Sequence, residues 1–179
     1  MNYIFDDMII DLLKSELSWE NKILKRNEFL KISGTIDTNV YFIEAGSVRL
    51  FIDDDNEERI VRFGYKGNII VSLDSFLSEK PSDLYIQAIK SSIIKVASKK
   101  DFYQFINSRH ENLKLWNSIL EDLVLQQIER EKDLLCNSPK FRYERVLKRS
   151  PQLFQEIPNR YIANYLRMSP ETLSRLKKS

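Results

Sequence analysis

Pro158-Asn-Arg-Tyr-Ile-Ala-Asn-Tyr-Leu-Arg-Met-Ser-Pro-Glu-Thr-Leu-Ser-Arg-Leu-Lys-Lys-Ser179 reads as two short helices joined by a tight turn, with basic residues on the second. Pro158 suits a first helical turn, where its missing N–H costs nothing. Ser169-Pro170 pairs an N-cap with an N1 proline and starts the second helix. Leu173 and Leu176 then share one face, and Glu171, Ser174, Arg175 and Lys178 share the opposite one. Ala163 is small enough for a close crossing, while Ile162, Leu166 and Met168 fill the angle between the helices. One apolar seam backed by a Ser/Arg/Lys face is what entry into the DNA major groove requires. The plainer reading is an amphipathic hairpin with solvated charges.

Charge is distributed unevenly outward from this stretch. Residues 138–179 carry ten Lys/Arg against three Glu, a net +7, whereas the remainder carries 18 against 23, a net −5. A basic segment beside an acidic body is the footprint of a DNA-binding appendage. The 179 residues suffice for one large or two small domains. Met1–Leu17, with Asp6, Asp7 and Asp11, reads as an amphipathic helix and not a leader, and no apolar run is long enough for a bilayer. A cytoplasmic protein without membrane association is expected. The single cysteine, Cys136, fits a reducing compartment and reads as a small apolar filler.

From Lys22 to Ala97 the pattern has period two. Candidate strands are Ile23–Leu30, Val40–Glu44, Ser47–Ile52, Glu57–Phe63, Asn68–Ser72, Leu84–Ile89 and Ile93–Ala97, with all four glycines at breaks between them. This spacing predicts an antiparallel jelly roll or barrel. Asp53–Asn56 is an acidic hairpin turn. From Lys100 the pattern is helical, and 113, 120, 127 and 134 with 116, 123 and 130 fit a heptad. Leu113, Trp116, Leu120, Leu123, Gln127, Arg130 and Leu134 are therefore the candidate dimer seam. Packing on the chain's own barrel is the alternative for the first two turns. Asn137-Ser138-Pro139 ends the helix. The expected organisation is α+β, in three segments over 1–108, 109–137 and 138–179.

These pieces in this order resemble the Crp/Fnr family of bacterial transcription regulators across nearly the whole chain. The resemblance rests on Tyr41-Phe42-Ile43-Glu44-Ala45-Gly46-Ser47-Val48-Arg49-Leu50, on Phe76-Leu77…Pro81-Ser82…Ala88, and on Ile162-Ala163 with Ser169-Pro170-Glu171-Thr172-Leu173-Ser174-Arg175. It implies a cyclic-nucleotide-binding-like β-roll sensor domain over 1–108, a dimerisation helix over 109–137 and a small winged-helix-like helix-turn-helix domain over 138–179. By the same resemblance the effector pocket falls at Gly67, Asn68, Ser82 and Asp83. Members that bind cAMP hold its phosphate with a Gly-Glu pair and an arginine followed by Ser or Thr. Ser82 replaces that arginine and Asp83 adds a negative charge, so a buried cyclic phosphate lacks its counter-charge. Another effector, or none, is expected.

At the DNA end the resemblance assigns Arg160, Ser169, Pro170, Glu171, Thr172, Ser174, Arg175, Lys177 and Lys178 to the interface. Pro170 stands at a base-reading position that is basic in the cAMP-binding members. Glu171 can accept from a cytosine amino group and Arg175 can pair with guanine. Ser174 can touch base or phosphate, and Arg160, Lys177 and Lys178 suit phosphates. Arg167 occupies a turn position that the family often gives to glycine. Gln152–Ile157 is the stretch left for a wing.

Competing classes find little support. A cupin needs clustered histidines inside the barrel segment, which has none, and no nucleophile–histidine pair can be assembled from one Cys and one His. Iron–sulfur sensing needs about four cysteines, and His110 alone would have to carry a haem. No cofactor and no enzymatic activity are expected. The reading is a homodimeric regulator on near-palindromic double-stranded DNA. The alternative is a ligand-binding or protein-interaction module that has lost specific DNA binding. Asp53–Asn56 and Phe76 are candidates for contact with RNA polymerase, against the plainer readings of a solvated turn and a core residue.

Overall fold

Apolar runs separated by turns organise the segment from Glu20 to Ala97 into β1 (Glu20–Leu24), β2 (Phe29–Lys31), β3 (Val40–Ala45), β4 (Ser47–Asp54), β5 (Glu57–Tyr65), β6 (Ile69–Ile70), β7 (Tyr85–Ala88) and β8 (Ser92–Ala97) in the computed structural model. The structure describes residues 15–55 and 57–178, so most of the helix expected over Met1–Leu17, and Asn56 of the acidic turn, lie outside the described residues. Two antiparallel four-stranded sheets form, in the orders β1-β8-β3-β6 and β2-β7-β4-β5. Their facing sides close over Leu24, Tyr41, Ile43, Val48, Leu50, Ile70, Ile86, Ala88 and Ile94. Each large member of that set stabilises the roll by about 1.5–3 kcal/mol through burial. Gly46 turns β3 into β4 at φ +92°, where a Cβ would fall 2.6 Å from the Ser91 carbonyl oxygen and against Ser92 Oγ.

The stretch Ile23–Leu30, expected as one strand, is two. Asn27 takes φ 65° and breaks it, which sends β1 to the edge of one sheet and β2 to the edge of the other. The expected strand Asn68–Ser72 shortens to β6 because the Asn68 side chain is committed to the preceding turn, where its Oδ1 accepts from Tyr65 N at 3.1 Å.

Seven helices accompany the sheets among the described residues: α1 (Leu73–Ser78), α2 (Lys99–Ser108), α3 (His110–Leu135), α4 (Pro139–Arg149), α5 (Leu153–Glu156), α6 (Asn159–Tyr165) and α7 (Pro170–Leu176). Phe76 of α1 is fully buried, stacked on Tyr103 and edge-on to Phe102 of α2. The suggested polymerase contact through Phe76 is therefore corrected: it is a core residue. Two compact units meet between Leu113 and Lys114, inside α3. The first is the β-roll. In the second, Val146, Leu153, Ile157, Ile162, Ala163, Leu166 and Leu173 are buried. Gln152–Ile157 folds as α5 and its flanks, and no strand follows Ala97 among the described residues. The winged-helix-like expectation is thereby corrected to an all-helical unit, because Leu153 and Ile157 anchor a helical turn where a wing would need extended chain.

Candidate nucleic-acid interface and the effector region of the barrel

Local chemistry sets the α6–α7 pair. Ser169 Oγ accepts from Thr172 N at 3.2 Å and Pro170 occupies the first turn, so α7 begins where the sequence signals it. The turn before it takes Arg167 through φ 51°. Arg167 N donates to Asn164 O and Met168 N to Ala163 O, each at 3.0 Å. This pairing closes a helix end through one left-handed residue, ordinarily glycine. Three carbonyls at that end remain, and two guanidiniums take them. Arg142 Nε donates to Leu166 O at 2.8 Å and Nη2 to Arg167 O at 3.0 Å, while Nη1 donates to Cys136 O. Arg130 Nη2 donates to Tyr165 O at 2.7 Å, with its guanidinium 3.6 Å from the Tyr165 ring centroid. Buried acceptors cost about 1–3 kcal/mol when left unpaired, so this capping offsets the left-handed arginine.

The expected interface residues divide into two groups. Glu171, Ser174, Arg175 and Lys178 are exposed on the side of α7 opposite the buried Leu173. The Glu171 carboxyl lies below its ordinary range, held by its own backbone N–H, the Ser169 hydroxyl and Arg175. Arg160 is exposed, with its guanidinium 4.5 Å from the Tyr161 ring centroid. Ser169 and Thr172 are occupied with the cap, their hydroxyls 3.2 Å apart. Lys177 is turned to its own chain, where Nζ donates to Asn159 Oδ1 at 2.7 Å.

On α3 the expected seam is only partly the open face. Arg130 faces α6, as its bonds to Tyr165 require. Trp116, Leu120 and Leu123 are half-buried, Leu113 and Leu134 are 40% exposed, and Gln127 is exposed. The largest open apolar side chains are Val124, Leu125, Ile128 and Leu135, which heptad matching missed. Leu113, Leu120, Val124, Ile128 and Leu135 follow spacings of seven, four, four and seven, one face of a helix. On the other side, fully buried Asp133 accepts from Arg145 Nε at 2.9 Å and pairs with Arg149 Nη2, and Glu129 accepts from Arg145 Nη2 at 2.8 Å. The bond to Asp133 is the chief reason the Arg145 guanidinium lies above its ordinary value.

In the barrel, Gly67 and Asn68 form the β5–β6 turn and make no hydrogen bond to Ser82 or Asp83. Gly67 N donates to Ile43 O, and Ile43 N to Asn68 O. Ser82 is buried against Ser72, their hydroxyls 3.3 Å apart, and Ser72 Oγ donates to Asp74 Oδ1. Ser75 Oγ accepts from Asp37 N and donates to Lys80 O. Lys31, also buried, donates to the carbonyls of Ile32, Ser82 and Leu84. Burial pushes its ammonium below the ordinary value, against the pull of Asp37, Asp74 and Asp83. Asp83 is exposed. Lys31, Asp37, Ser72, Asp74 and Ser75 had no signal in the sequence beyond a serine-rich run, because β2 brings Lys31 across 51 residues to Ser82.

Residues 21–109, which hold the two-sheet roll, match the family model for the cyclic nucleotide-binding domain. A sequence search of curated proteins finds no match. Among solved structures, the fold is similar to a CooA mutant from Carboxydothermus hydrogenoformans, at TM-score 0.72 and 16% identity, over 94% of this chain and 77% of that one. It is similar to FixK2 from Bradyrhizobium japonicum at TM-score 0.70 and 19% identity, covering 90% and 84%. The c-di-GMP-responsive global regulator CLP of Xanthomonas campestris aligns at TM-score 0.67 and 14% identity, covering 97% and 90%. At these identities the likeness is one of fold. No described helix is long and apolar enough to cross a membrane.

Proposed function

We propose that the chain is a homodimeric transcription regulator that reads near-palindromic duplex DNA through a helix-turn-helix made of α6 and α7. One observation carries the reading: an exposed Glu171/Ser174/Arg175/Lys178 face stands opposite a buried Leu173. The open apolar face of α3 supports pairing with a second copy, which sets half-sites about 34 Å apart. The hydroxyls of the Ser72–Ser82 region and Lys31 are committed to partners within the chain, and carboxylates surround them. That supports a barrel which does not take a cyclic phosphate through this region.

Selection of bound duplexes from a random pool, without added ligand, tests the reading. An inverted repeat is expected. Arg175→Ala relaxes preference at one base pair per half-site, by about 1–3 kcal/mol. Lys178→Ala weakens binding to every duplex alike and lowers the salt slope by about one per subunit. A pool that stays random supports the second reading, an interaction module without specific DNA binding, which the self-engaged Lys177 and the uncharged Pro170 favour.

A further inference from the structure

We infer that the β1–β2 edge of the barrel is a binding site for a small monocarboxylate with an apolar body. β1 and β2 follow each other in sequence yet lie at the edges of opposite sheets, so the roll is open between them. A cavity of about 350 Å³ lies there, in the size range of small-molecule sites. Phe29, Ile32 and Ile36 line it and are 42%, 51% and 57% exposed. Three large apolar side chains left half in water around one cavity gain by covering, and an apolar ligand body covers them.

The polar groups define the rest of the ligand. Tyr41 OH donates to both oxygens of Asp37, at 2.9 and 2.8 Å, and Asn39 N donates to Oδ1. These bonds satisfy the Asp37 oxygens, and the Lys31 ammonium supplies their nearby counter-charge. The three Lys31 bonds to carbonyls leave that ammonium occupied as well. Lys22, two residues before the core residue Leu24 on the same face of β1, is exposed at the cavity and has no ion-pair partner among the described residues. One flexible ammonium suits one negative charge, and the Asp37 carboxylate in the lining disfavours a dianion such as a phosphate monoester. The site lies in the β-roll alone and does not depend on DNA binding.

The test uses the full chain with labelled isoleucine methyls. Benzoate, 3-phenylpropionate and octanoate are titrated, with 3-phenylpropanol as the uncharged analogue. Saturable shifts at Ile32 and Ile36 are expected for at least one acid, with 3-phenylpropionate about fivefold tighter than the alcohol, the upper end for an exposed charge pair. Lys22→Gln removes that preference without changing the alcohol, and Ile36→Asp, at an exposed position, abolishes both. The proposal is overturned if no acid shifts these methyls, if acid and alcohol bind the parent alike, or if Lys22→Gln keeps the preference.

Discussion

The β-roll and the helical unit are held together by different chemistry. The roll closes on aliphatic side chains, with Leu24, Ile43, Val48, Ile86 and Ile94 fully buried. In the helical unit a small apolar centre is fastened by arginines: Arg145 and Arg149 on Asp133, and Arg130 and Arg142 on the carbonyls of residues 165–167. A small unit buries a lower fraction of its surface, so directed bonds carry more of its order. Apolar cores tolerate rearrangement, whereas a guanidinium holding two or three acceptors fixes a geometry.

The largest expected effect breaks the polar side. Asp133→Ala leaves two arginines facing a buried void and destabilises the helical unit by about 3–5 kcal/mol. Calorimetry should then show that unit melting first, with the barrel transition in place; simultaneous loss of both would contradict the division. Next, Ile94→Ala in the roll costs about 2–5 kcal/mol as a cavity. It should lower the barrel transition alone, read by the near-ultraviolet signal of Trp19, which packs 6.4 Å from Phe42.

A smaller change sharpens the contrast. Arg167→Gly relieves a left-handed side-chain penalty of about 1–2 kcal/mol, less what glycine adds to unfolded-chain entropy. The midpoint of the helical unit should rise slightly; a fall would mean that the Arg167 side chain contributes contacts of its own. The smallest effect is in pH. Asp74 lies below its ordinary value: burial raises it, but hydrogen bonds from Ser82, Ser75 N–H and Ser72, and Lys31, outweigh that. A depressed carboxyl contributes stability above its unfolded value of about 3.9 and loses it as pH falls through the lower folded value. The acid limb of barrel unfolding should therefore flatten in Asp74→Asn, measured by denaturant midpoints between about pH 5 and 2.

The apolar runs on either side of Gly46 and the pair Ser169-Pro170 were legible because each is a local signal, written in consecutive residues. The β1–β2 break was not, since Lys25-Arg26-Asn27-Glu28 contains neither glycine nor proline and depends on Asn27 accepting a positive φ. Heptad spacing offers Arg130 as a seam position but does not say which side of a helix its own chain covers. Its partner, Tyr165, lies 35 residues away. The Ser72–Ser82 contact was hidden for the same reason, since its two hydroxyls lie ten residues apart in sequence.

The arginine caps also have a mechanical meaning. Arg130 sits on α3 and Arg142 on α4, and both grip the last carbonyls of α6, one turn from the start of α7. The joint before α7 thus has little slack, and a rotation of the C-terminal half of α3 reaches α7 as nearly the same angle. A helix of this length is about 10 Å long, so a twist of about 10° would swing its tip roughly 2 Å, about half the ~3.4 Å rise per base pair of the duplex it is proposed to read. Such a unit behaves as a gear tooth on a shaft, and its accuracy is set by how stiffly two guanidiniums hold three oxygens.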